Sequence, residues 1–435
     1  MRVYTILFTL ALNFATVASY FVYAADLPFA QQMLAMKDLL LIGGLLLILP
    51  SLLGRLARLK LETLDWLILL AIAFNLVAFV LSDAPVSDRV FNFRRHLSFL
   101  LVLLIFREFG TGFRSELSYF QFLKPILVVL WAFGAVEVFL PDSFWNDFVG
   151  ITSYWDALSV DPFSTPTIGE NGRFYSWDLF ALFGEVRRMV SFYFEPTTLA
   201  AFFVAALCFS LMGGARERFW AVLIAGIGLL TVSKFFALSI PLAFGAYALR
   251  NHLRPGLFLG FVSTCIVMSA TVIALGIDAG ALAHLKGISS LVEIVMQNKW
   301  LGLGLGAGGN YADSELESAE IGAESGFGNI AAQLGLMSIV YILILNCLYI
   351  SLLSRYQRTR QPIYAAAIAG LICWTLSFFL SASSLGLSGN AFIFILIGAV
   401  LHRRAEPGVQ ASATTAVRGP QPPTDSITVT APATS

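Results

Sequence analysis

Long apolar runs recur along the chain and are separated by shorter polar connections. A run of about twenty apolar residues is the length that a helix needs to cross the hydrocarbon layer of a membrane. Because lipid offers backbone groups no hydrogen-bond partner, each span must satisfy its own backbone, as a helix does. The pattern therefore predicts an all-α polytopic membrane protein with about twelve transmembrane helices. The fourth, seventh, eighth and twelfth runs are short, so two of them could be half-helices. The predicted spans cover residues 3–23, 38–54, 64–82, 95–107, 121–140, 196–213, 217–232, 235–249, 256–277, 326–352, 362–380 and 389–402.

The composition agrees with this class and excludes an ordinary soluble domain. Of 435 residues, 58% are hydrophobic and only 12% are charged, whereas a soluble domain carries about 25% charged residues. All four cysteines fall inside apolar runs without CxxC spacing, so we expect core residues rather than disulfides or metal ligands. The first apolar run is too long for the core of a signal peptide, so we expect a retained first helix.

The placement of lysine and arginine predicts the orientation. Basic residues cluster in alternate connections, while the intervening short connections are nearly bare of them. Because basic residues concentrate on the cytoplasmic side, this alternation predicts that both termini are cytoplasmic. A membrane domain at 1–404 is then followed by a tail at 405–435 that is rich in Ala, Thr, Pro and Ser. We expect that tail to be a disordered cytoplasmic end.

Two connections on the predicted outer side are long, at residues 141–195 and 278–325, with about fifty residues each. They carry cations on the side that the orientation bias disfavours. The first loop contains Arg173, Arg187 and Arg188, and the second contains Lys286. The second loop also has the apolar spacing of an amphipathic helix between Ile288 and Met296, which predicts a helix at the membrane interface.

Arg187 and Arg188 form the first candidate binding site. A guanidinium group binds phosphate oxygens through two parallel hydrogen bonds and stays charged in a partly dry site. Arginines at helix ends also extend toward lipid headgroups, so anchoring at the interface stays open as an alternative.

Two glutamates open apolar runs on the predicted outer side, in Glu195-Pro196 and in Glu324-Ser325-Gly326. Proline suits the first turn of a helix, and a carboxylate just outside that helix faces the positive end of its dipole. Either glutamate could take a proton from an acceptor hydroxyl. Each could equally be a helix-start acid that satisfies free N–H groups.

Two shorter motifs also lie on this side. Lys234 ends the turn Thr231-Val-Ser-Lys234, where it either reaches a phosphate or anchors the turn at the headgroups. The run 302–309 contains a GxGxxG match, but it lies in a loop outside any βαβ unit, so we reject a dinucleotide site. Such glycines let the backbone approach a ligand or simply turn the chain. HExxH and DxD spacings do not occur, so neither a metal nor a cofactor is expected.

Three blocks in this order resemble the O-antigen polymerase and ligase superfamily of bacterial envelope glycosyltransferases. They are the stretch from Arg188 to Ala200, the turn that ends at Lys234, and the glycine run followed by Glu324-Ser-Gly and Gln333-Leu-Gly. The resemblance covers about residues 120–400. It implies a GT-C-like fold with two large periplasmic loops, and metal-independent transfer of sugars carried on undecaprenyl pyrophosphate.

The resemblance also implies roles for particular residues. It places Arg188 on the loop arginine ahead of the Glu-Pro block and Glu195 on its acid. Together with the candidates read from the residues, the expected catalytic residues are Glu195, Glu324 and Arg188, and the expected pyrophosphate-binding residues are Arg173, Arg187, Arg188, Lys234 and Lys286. Lys234 stands where many members have arginine, and lysine offers only a compact charge. The second loop lacks the arginine that often precedes its apolar helix, and His284 and Lys286 are the nearest substitutes.

The resulting hypothesis is a Wzy-type polymerase at the periplasmic face of a bacterial inner membrane. It would join undecaprenyl-pyrophosphate-linked oligosaccharide repeat units into an exported exopolysaccharide or O-antigen. Its expected partners are that lipid-linked oligosaccharide and membrane lipid. A chain-length-regulating co-polymerase and a flippase are candidate protein partners, and nucleic acid is not expected.

Three alternatives stay open. One is an O-antigen-type ligase, which transfers a finished glycan to another acceptor. Another is a lipid-linked-oligosaccharide flippase or other transporter, and the third is a non-catalytic membrane scaffold. A transporter would place charges near the middle of its spans. Here the charges concentrate at span ends and in outer loops, with Glu137 as the main exception.

Overall fold

The computed structural model describes residues 1–141, 143–158, 186–274, 281–308 and 325–402. Within these ranges the chain forms fifteen α-helices joined by short turns, with no β-strand. The predicted tail at 405–435 and the middle parts of the two long loops lie outside them. The helices are α1 (Arg2–Ala24), α2 (Ala30–Ala57), α3 (Thr63–Leu81), α4 (Val86–Phe109), α5 (Glu116–Phe139), α6 (Ile151–Leu158), α7 (Pro196–Leu211), α8 (Ala215–Gly228), α9 (Lys234–Ala248), α10 (Pro255–Ala274), α11 (Ala281–Met296), α12 (Gly326–Leu334), α13 (Ile339–Thr359), α14 (Pro362–Leu380) and α15 (Leu387–Val400).

Six helical stretches of the described chain are long and apolar enough to cross a membrane. They are α1, α2, α3, α5, α14 and the continuous stretch Gly326–Thr359 that α12 and α13 form together. Each coincides with a predicted span, so the prediction of an all-helical membrane protein is confirmed at this level. α7, α9 and α15 are apolar but shorter. The total of about twelve spans and the GT-C-like arrangement stay predictions.

The fourth apolar run, at 95–107, is the second half of a longer helix. α4 begins at Val86, with Pro85 at the N-cap and Asp88 in the first turn, where a carboxylate interacts favourably with the helix dipole. Its first half carries Arg89, Arg94 and Arg95. A hydropathy window therefore detects only the apolar second half, although the whole helix is 24 residues long.

The centre of the bundle is formed by α7, α14 and α15, whose residues are almost all buried. Their burial marks them as central, because an apolar sequence alone also fits a helix that faces lipid. Two glycines of α15 let neighbouring helices approach closely. A Cβ atom on Gly389 would lie 2.0 Å from the Thr198 carbonyl oxygen of α7, and one on Gly398 would lie 2.9 Å from the Leu103 carbonyl oxygen of α4. Small residues at such contacts are typical of helix packing in membranes.

One end of the bundle brings several helix starts together. The N-terminal parts of α2, α4, α7 and α15 meet the C-terminal part of α1 there. We call this the outer end, because the predicted orientation puts these helix starts outside the cytoplasm.

The amphipathic helix predicted in the second long loop is present as α11. Ser290 and Ile294 are buried, whereas Val292 and Met296 are exposed. α11 approaches α12 so closely that a Cβ atom on Gly328 would lie 2.0 Å from the Gly287 carbonyl oxygen. α11 therefore packs on the bundle through one face, and its predicted position at a membrane interface stays a prediction.

Candidate functional site

A polar cavity of about 480 Å³ opens at the outer end of the bundle. Its walls come from α1, α2, α4, α7 and the turn before α15, so residues far apart in the sequence meet in it. We call it the outer cavity. Five charged residues line it: Lys37, Asp38, Arg94, Arg95 and Glu195. Three cations and two carboxylates leave a formal charge of +1, so the cavity favours an anionic ligand.

Glu195 is the predicted site residue that the structure places in the outer cavity. It is the N-cap residue of α7, and Pro196 occupies the first helical position as expected. One carboxylate oxygen accepts a hydrogen bond of 2.5 Å from the Thr197 hydroxyl, and the other accepts one from the Thr198 hydroxyl. The two hydroxyls fix the orientation of the carboxylate at the positive end of the helix dipole.

The cations of the outer cavity come from α2 and α4. Lys37 Nζ donates to Ser388 Oγ over 2.9 Å, which joins α2 to the start of α15. Arg94 forms an ion pair of 2.9 Å with Asp38. Arg95 is only 5% exposed, and its guanidinium lies 5.4 Å from the Phe91 ring. A buried arginine beside an open polar cavity is arranged to meet an anion, because arginine stays charged in a dry site.

Sequence reasoning missed these three cations. The fourth apolar run begins at residue 95, so Arg94 and Arg95 stand at the edge of the predicted span. Lys37 directly precedes the second run at 38–54, and nothing in its local sequence marks it as part of a site. The available signal was the row Arg89, Arg94 and Arg95 on the predicted outer side, which contradicts the positive-inside bias as clearly as Arg187 and Arg188 do.

Arg187 and Arg188 are not among the residues that line the outer cavity. Arg187 Nη1 donates to the Leu140 carbonyl oxygen over 2.7 Å, and its guanidinium lies 6.0 Å from the Trp145 ring. Arg188 Nε donates to the Thr231 carbonyl oxygen over 3.2 Å. In this structure both arginines hold the segment 187–195 against its neighbours, and their binding of a phosphate stays a prediction.

Glu137, the charged exception within a predicted span, supports that same segment. It is 1% exposed, and its Oε2 accepts hydrogen bonds of 2.7 Å from the Ser191 N–H and 3.3 Å from the Val190 N–H. Ser191 and Phe194 both adopt positive φ angles, 48° and 53°, which non-glycine residues rarely do. A buried carboxylate bonded to the backbone compensates for such a conformation and fixes the chain that leads to Glu195.

Tyr193 points from this segment into the bundle and lines the outer cavity. Its hydroxyl donates to Asn13 Oδ1 over 2.7 Å. Burial raises the pKa of the Tyr193 phenol well above its ordinary value, so the hydroxyl stays a neutral hydrogen-bond donor.

Two of the blocks that carry the family resemblance contact each other. The Met189 N–H donates to the Leu230 carbonyl oxygen over 2.8 Å, next to the bond between Arg188 and Thr231. Ser233 caps α9 by accepting a hydrogen bond from the Phe236 N–H. Lys234 is the first residue of that helix and is exposed. The turn 231–234 thus supports the segment 187–195 from behind, and a phosphate role of Lys234 stays a prediction.

The residues 302–308, which we call the glycine segment, dock onto the protein. Gly302, Gly304 and Gly306 have φ angles of 81°, 89° and 83°, which only glycine adopts easily. A Cβ atom on Gly302 would lie 2.4 Å from the Gln333 carbonyl oxygen, and one on Gly304 would lie 2.8 Å from Ser82 Cα. Here the close backbone approach is to other parts of the chain.

Buried amide and imidazole side chains fix the glycine segment in place. Gln333 Oε1 accepts from the Gly306 N–H over 3.0 Å, and Gln333 Nε2 donates to the Gly308 carbonyl oxygen over 2.9 Å. The His96 ring nitrogens lie 3.0 Å and 3.2 Å from amide oxygens of α3 and α12. We call this cluster the buried amide network. Its members are Asn75, Asn92, His96, Asn329, Gln333 and Tyr341, and all are at most 1% exposed.

The remaining predicted site residues fall outside what the structure describes. Arg173 and Glu324 lie in the undescribed parts of the two loops. Lys286 belongs to α11, but its side chain is not among the described ones. Their predicted roles stay predictions. Ser325 follows Glu324 directly and caps α12 by accepting from the Gly328 N–H over 3.0 Å.

The arrangement defines a class: a helical membrane protein with a cationic cavity at one end of its bundle. No family model, no curated protein and no solved structure matches this chain.

Proposed function

We propose that this protein is a membrane glycosyltransferase that joins lipid-linked oligosaccharide repeat units, as a Wzy-type polymerase does. The observation that carries the proposal is the outer cavity, in which three cations face a carboxylate held at a helix start. That set contains what the transfer needs: positive charge for a diphosphate and an oriented acceptor of a proton.

The size of the outer cavity supports a ligand larger than a single ion. Its volume of about 480 Å³ lies within the range of about 300–1,000 Å³ that is typical of small-molecule sites. A diphosphate with its first sugar is of that order, and the polyprenyl chain would extend into lipid. Thr16, Gln31 and Ser98 also line the cavity and offer hydrogen bonds to sugar hydroxyls.

The proposed reaction is a substitution at the anomeric carbon of the donor sugar. The acceptor hydroxyl oxygen forms a bond to that carbon, and the bond between the carbon and the diphosphate oxygen breaks. Glu195 orients the acceptor hydroxyl and takes its proton, which then passes to solvent. Lys37 and Arg95 stabilise the negative charge that develops on the departing diphosphate.

The position of the charges favours transfer over transport. Lys37, Arg94 and Arg95 lie about two turns from the starts of α2 and α4, near the outer end. Glu137, the exception that favoured a transporter, is bonded to the backbone of the segment 187–195. A transport site is expected near the middle of the membrane, at broken helices.

The test is to delete the gene and analyse the lipid-linked glycans that accumulate. Single repeat units on the carrier are expected for a polymerase, and wild-type protein should restore the polymer while Glu195→Gln should not. Accumulation of long lipid-linked chains would identify a ligase, and trapping on the inner leaflet would identify a flippase. Either result would reject the polymerase proposal.

A further inference from the structure

A second cavity lies toward the other end of the bundle, away from the outer cavity. It is a groove of about 280 Å³ between α9, the turn 249–254, α10 and α14. Its lining is apolar except for one imidazole. We call it the inner groove. Its lining residues include Pro241, Gly245, Leu249, Leu253 and Phe261, with His252 as the polar member.

The shape of the inner groove depends on small residues. A Cβ atom on Gly245 would meet no other heavy atom within 4 Å, so Gly245 leaves open space where most residues would fill it. Ala246 also lines the groove. Pro241 lies inside α9, where a proline removes a backbone hydrogen bond and bends the helix. Together these residues separate α9 from its neighbours along one side.

The length of the inner groove matches one leaflet of a membrane. From Pro241 to Leu249 the groove follows α9 for eight residues, which is about 12 Å along the helix axis. Half of the hydrocarbon layer is about 15 Å thick. The groove thus extends from near the middle of the bundle to the turn 249–254. A lipid acyl chain spans a similar distance, from the middle of the membrane to the headgroup.

The rim of the inner groove is positively charged. Arg250 and Arg254 stand on either side of His252 in the turn that closes α9. Arg250 Nη1 donates to the Tyr247 carbonyl oxygen over 2.8 Å, and the guanidinium lies 4.6 Å from the Tyr247 ring. The stretches 235–274 and 339–402 contain no Asp or Glu. Neither arginine lines the groove, but both flank His252, which does, so the turn carries net positive charge beside the groove. Basic pockets beside membrane helices bind anionic lipid headgroups.

The turn that carries these cations is held in place from the adjoining helix. The Tyr349 hydroxyl donates to the Arg254 carbonyl oxygen over 2.9 Å, and the Tyr356 hydroxyl donates to Asn251 Oδ1 over 2.6 Å. Leu253, which lies between Asn251 and Arg254 in the sequence, is buried. The backbone of a turn fixed in this way loses little further conformational entropy when a headgroup binds.

We propose that the inner groove binds one anionic glycerophospholipid, with an acyl chain between α9, α10 and α14 and its phosphate at Arg250, His252 and Arg254. This site is separate from the outer cavity and does not depend on the proposed function.

The test uses native mass spectrometry of the full-length protein, purified in detergent and exposed to equal amounts of phosphatidylglycerol and phosphatidylcholine. Wild-type protein is expected to retain phosphatidylglycerol preferentially. Gly245→Leu fills the groove, and the double variant Arg250→Ala/Arg254→Ala removes the rim charge. Each should lower the retained phosphatidylglycerol about tenfold.

Matched controls change the same residue types elsewhere. Gly226→Leu alters an exposed glycine of α8 whose Cβ would also meet no atom within 4 Å. Arg216→Ala/Arg218→Ala removes two exposed arginines at the start of α8. Both controls should retain phosphatidylglycerol like the wild type. Ala246→Leu is a second groove-filling variant if Gly245→Leu does not fold.

Two results would overturn the proposal. Equal retention of both lipids by the wild type would remove the role of charge. If both groove-filling variants retain as much phosphatidylglycerol as the wild type, the headgroup binds at the surface without the groove.

Discussion

The outer cavity and the buried amide network are two polar regions in the same apolar bundle, and they share helix α4. Arg94 and Arg95 face the cavity, while His96, the next residue, faces the network. The cavity gathers formal charges around open space. The network gathers buried neutral side chains, and its hydrogen bonds run from side chain to side chain and to the glycine segment.

This difference separates a binding region from a supporting one. Buried polar groups cost free energy unless they are hydrogen-bonded, and the network meets that need almost entirely from within. Asn329 Nδ2 is the network atom that lacks a hydrogen-bond partner in the described chain. Charges that line a cavity can instead bind a ligand. Substitutions in the network should therefore lower stability, whereas substitutions in the cavity should lower activity.

The largest effect is expected from breaking the network at Gln333. Gln333→Leu leaves the Gly306 N–H and the Gly308 carbonyl oxygen without their partner, which should lower the free energy of unfolding by about 3 kcal/mol. Thermal unfolding of the purified protein in detergent measures this. Gln297→Leu, at an exposed glutamine, should leave the unfolding temperature unchanged. An unchanged temperature for Gln333→Leu would mean that the network does not support the fold.

The next largest effect concerns activity and compares Arg95 with Arg188. Arg95→Ala should reduce polymer formation about a hundredfold, because the departing diphosphate loses the stabilising positive charge of the Arg95 guanidinium. Arg95→Lys should restore part of it, since lysine keeps the charge and loses the fork geometry. Polymer length and protein level are measured together.

The same assay with Arg188→Ala decides between the cavity and the segment 187–195. The family resemblance predicts loss of polymer for this variant as well. If Arg188→Ala abolishes the polymer at normal protein level while Arg95→Ala does not, the diphosphate binds at the segment rather than in the outer cavity.

A smaller effect is expected from Glu137. Glu137→Gln weakens the hydrogen bonds to the Val190 and Ser191 N–H groups, because a neutral amide is a poorer acceptor than a carboxylate. Hydrogen exchange at these two amides should accelerate about tenfold, which corresponds to about 1.4 kcal/mol. Glu116→Gln, at the other end of α5, should leave this exchange unaltered. Unchanged exchange in Glu137→Gln would remove the supporting role of Glu137.

The smallest effect is expected from Asp38, which shares the outer cavity with three cations. Asp38→Asn releases Arg94 from an ion pair whose arginine side chain is 45% exposed. A partly exposed pair contributes less than about 1 kcal/mol, so inorganic diphosphate should inhibit the variant about threefold more strongly. Asp26→Asn, at an exposed residue between α1 and α2, is the control. Weaker inhibition of Asp38→Asn would contradict anion binding beside Arg94.

The sequence predicted the helices well because their signal is local. Runs such as 3–23 and 362–380 coincide with α1 and α14 almost to the residue, since length and hydropathy determine a span. α4 was mispredicted as short because its arginines end the apolar window, although they continue the helix. The sequence also did not show which helices form the centre of the bundle, because the central α15 and the peripheral α2 have similarly apolar sequences.

The candidate site could be predicted only where one motif contains it. Glu195 was found because Glu-Pro at a helix start is visible in the sequence. Lys37 and Arg95 are 58 residues apart, and nothing local connects either of them to Glu195. Their meeting depends on how α2, α4 and α7 pack, which periodicity does not encode. The glycine run was predicted to let the backbone approach a ligand or to turn the chain, and the sequence could not show that its close neighbour is Gln333.

The enclosed position of α15 has a consequence for how the protein is made. At 14 residues the helix is about 21 Å long, shorter than the hydrocarbon layer of about 30 Å. A segment surrounded by protein needs no match to that thickness, whereas the same segment alone in lipid would leave its ends mismatched. Stable insertion of α15 should therefore depend on contacts with α4 and α7, so weakening those contacts should expose this helix to lipid that it is too short to match.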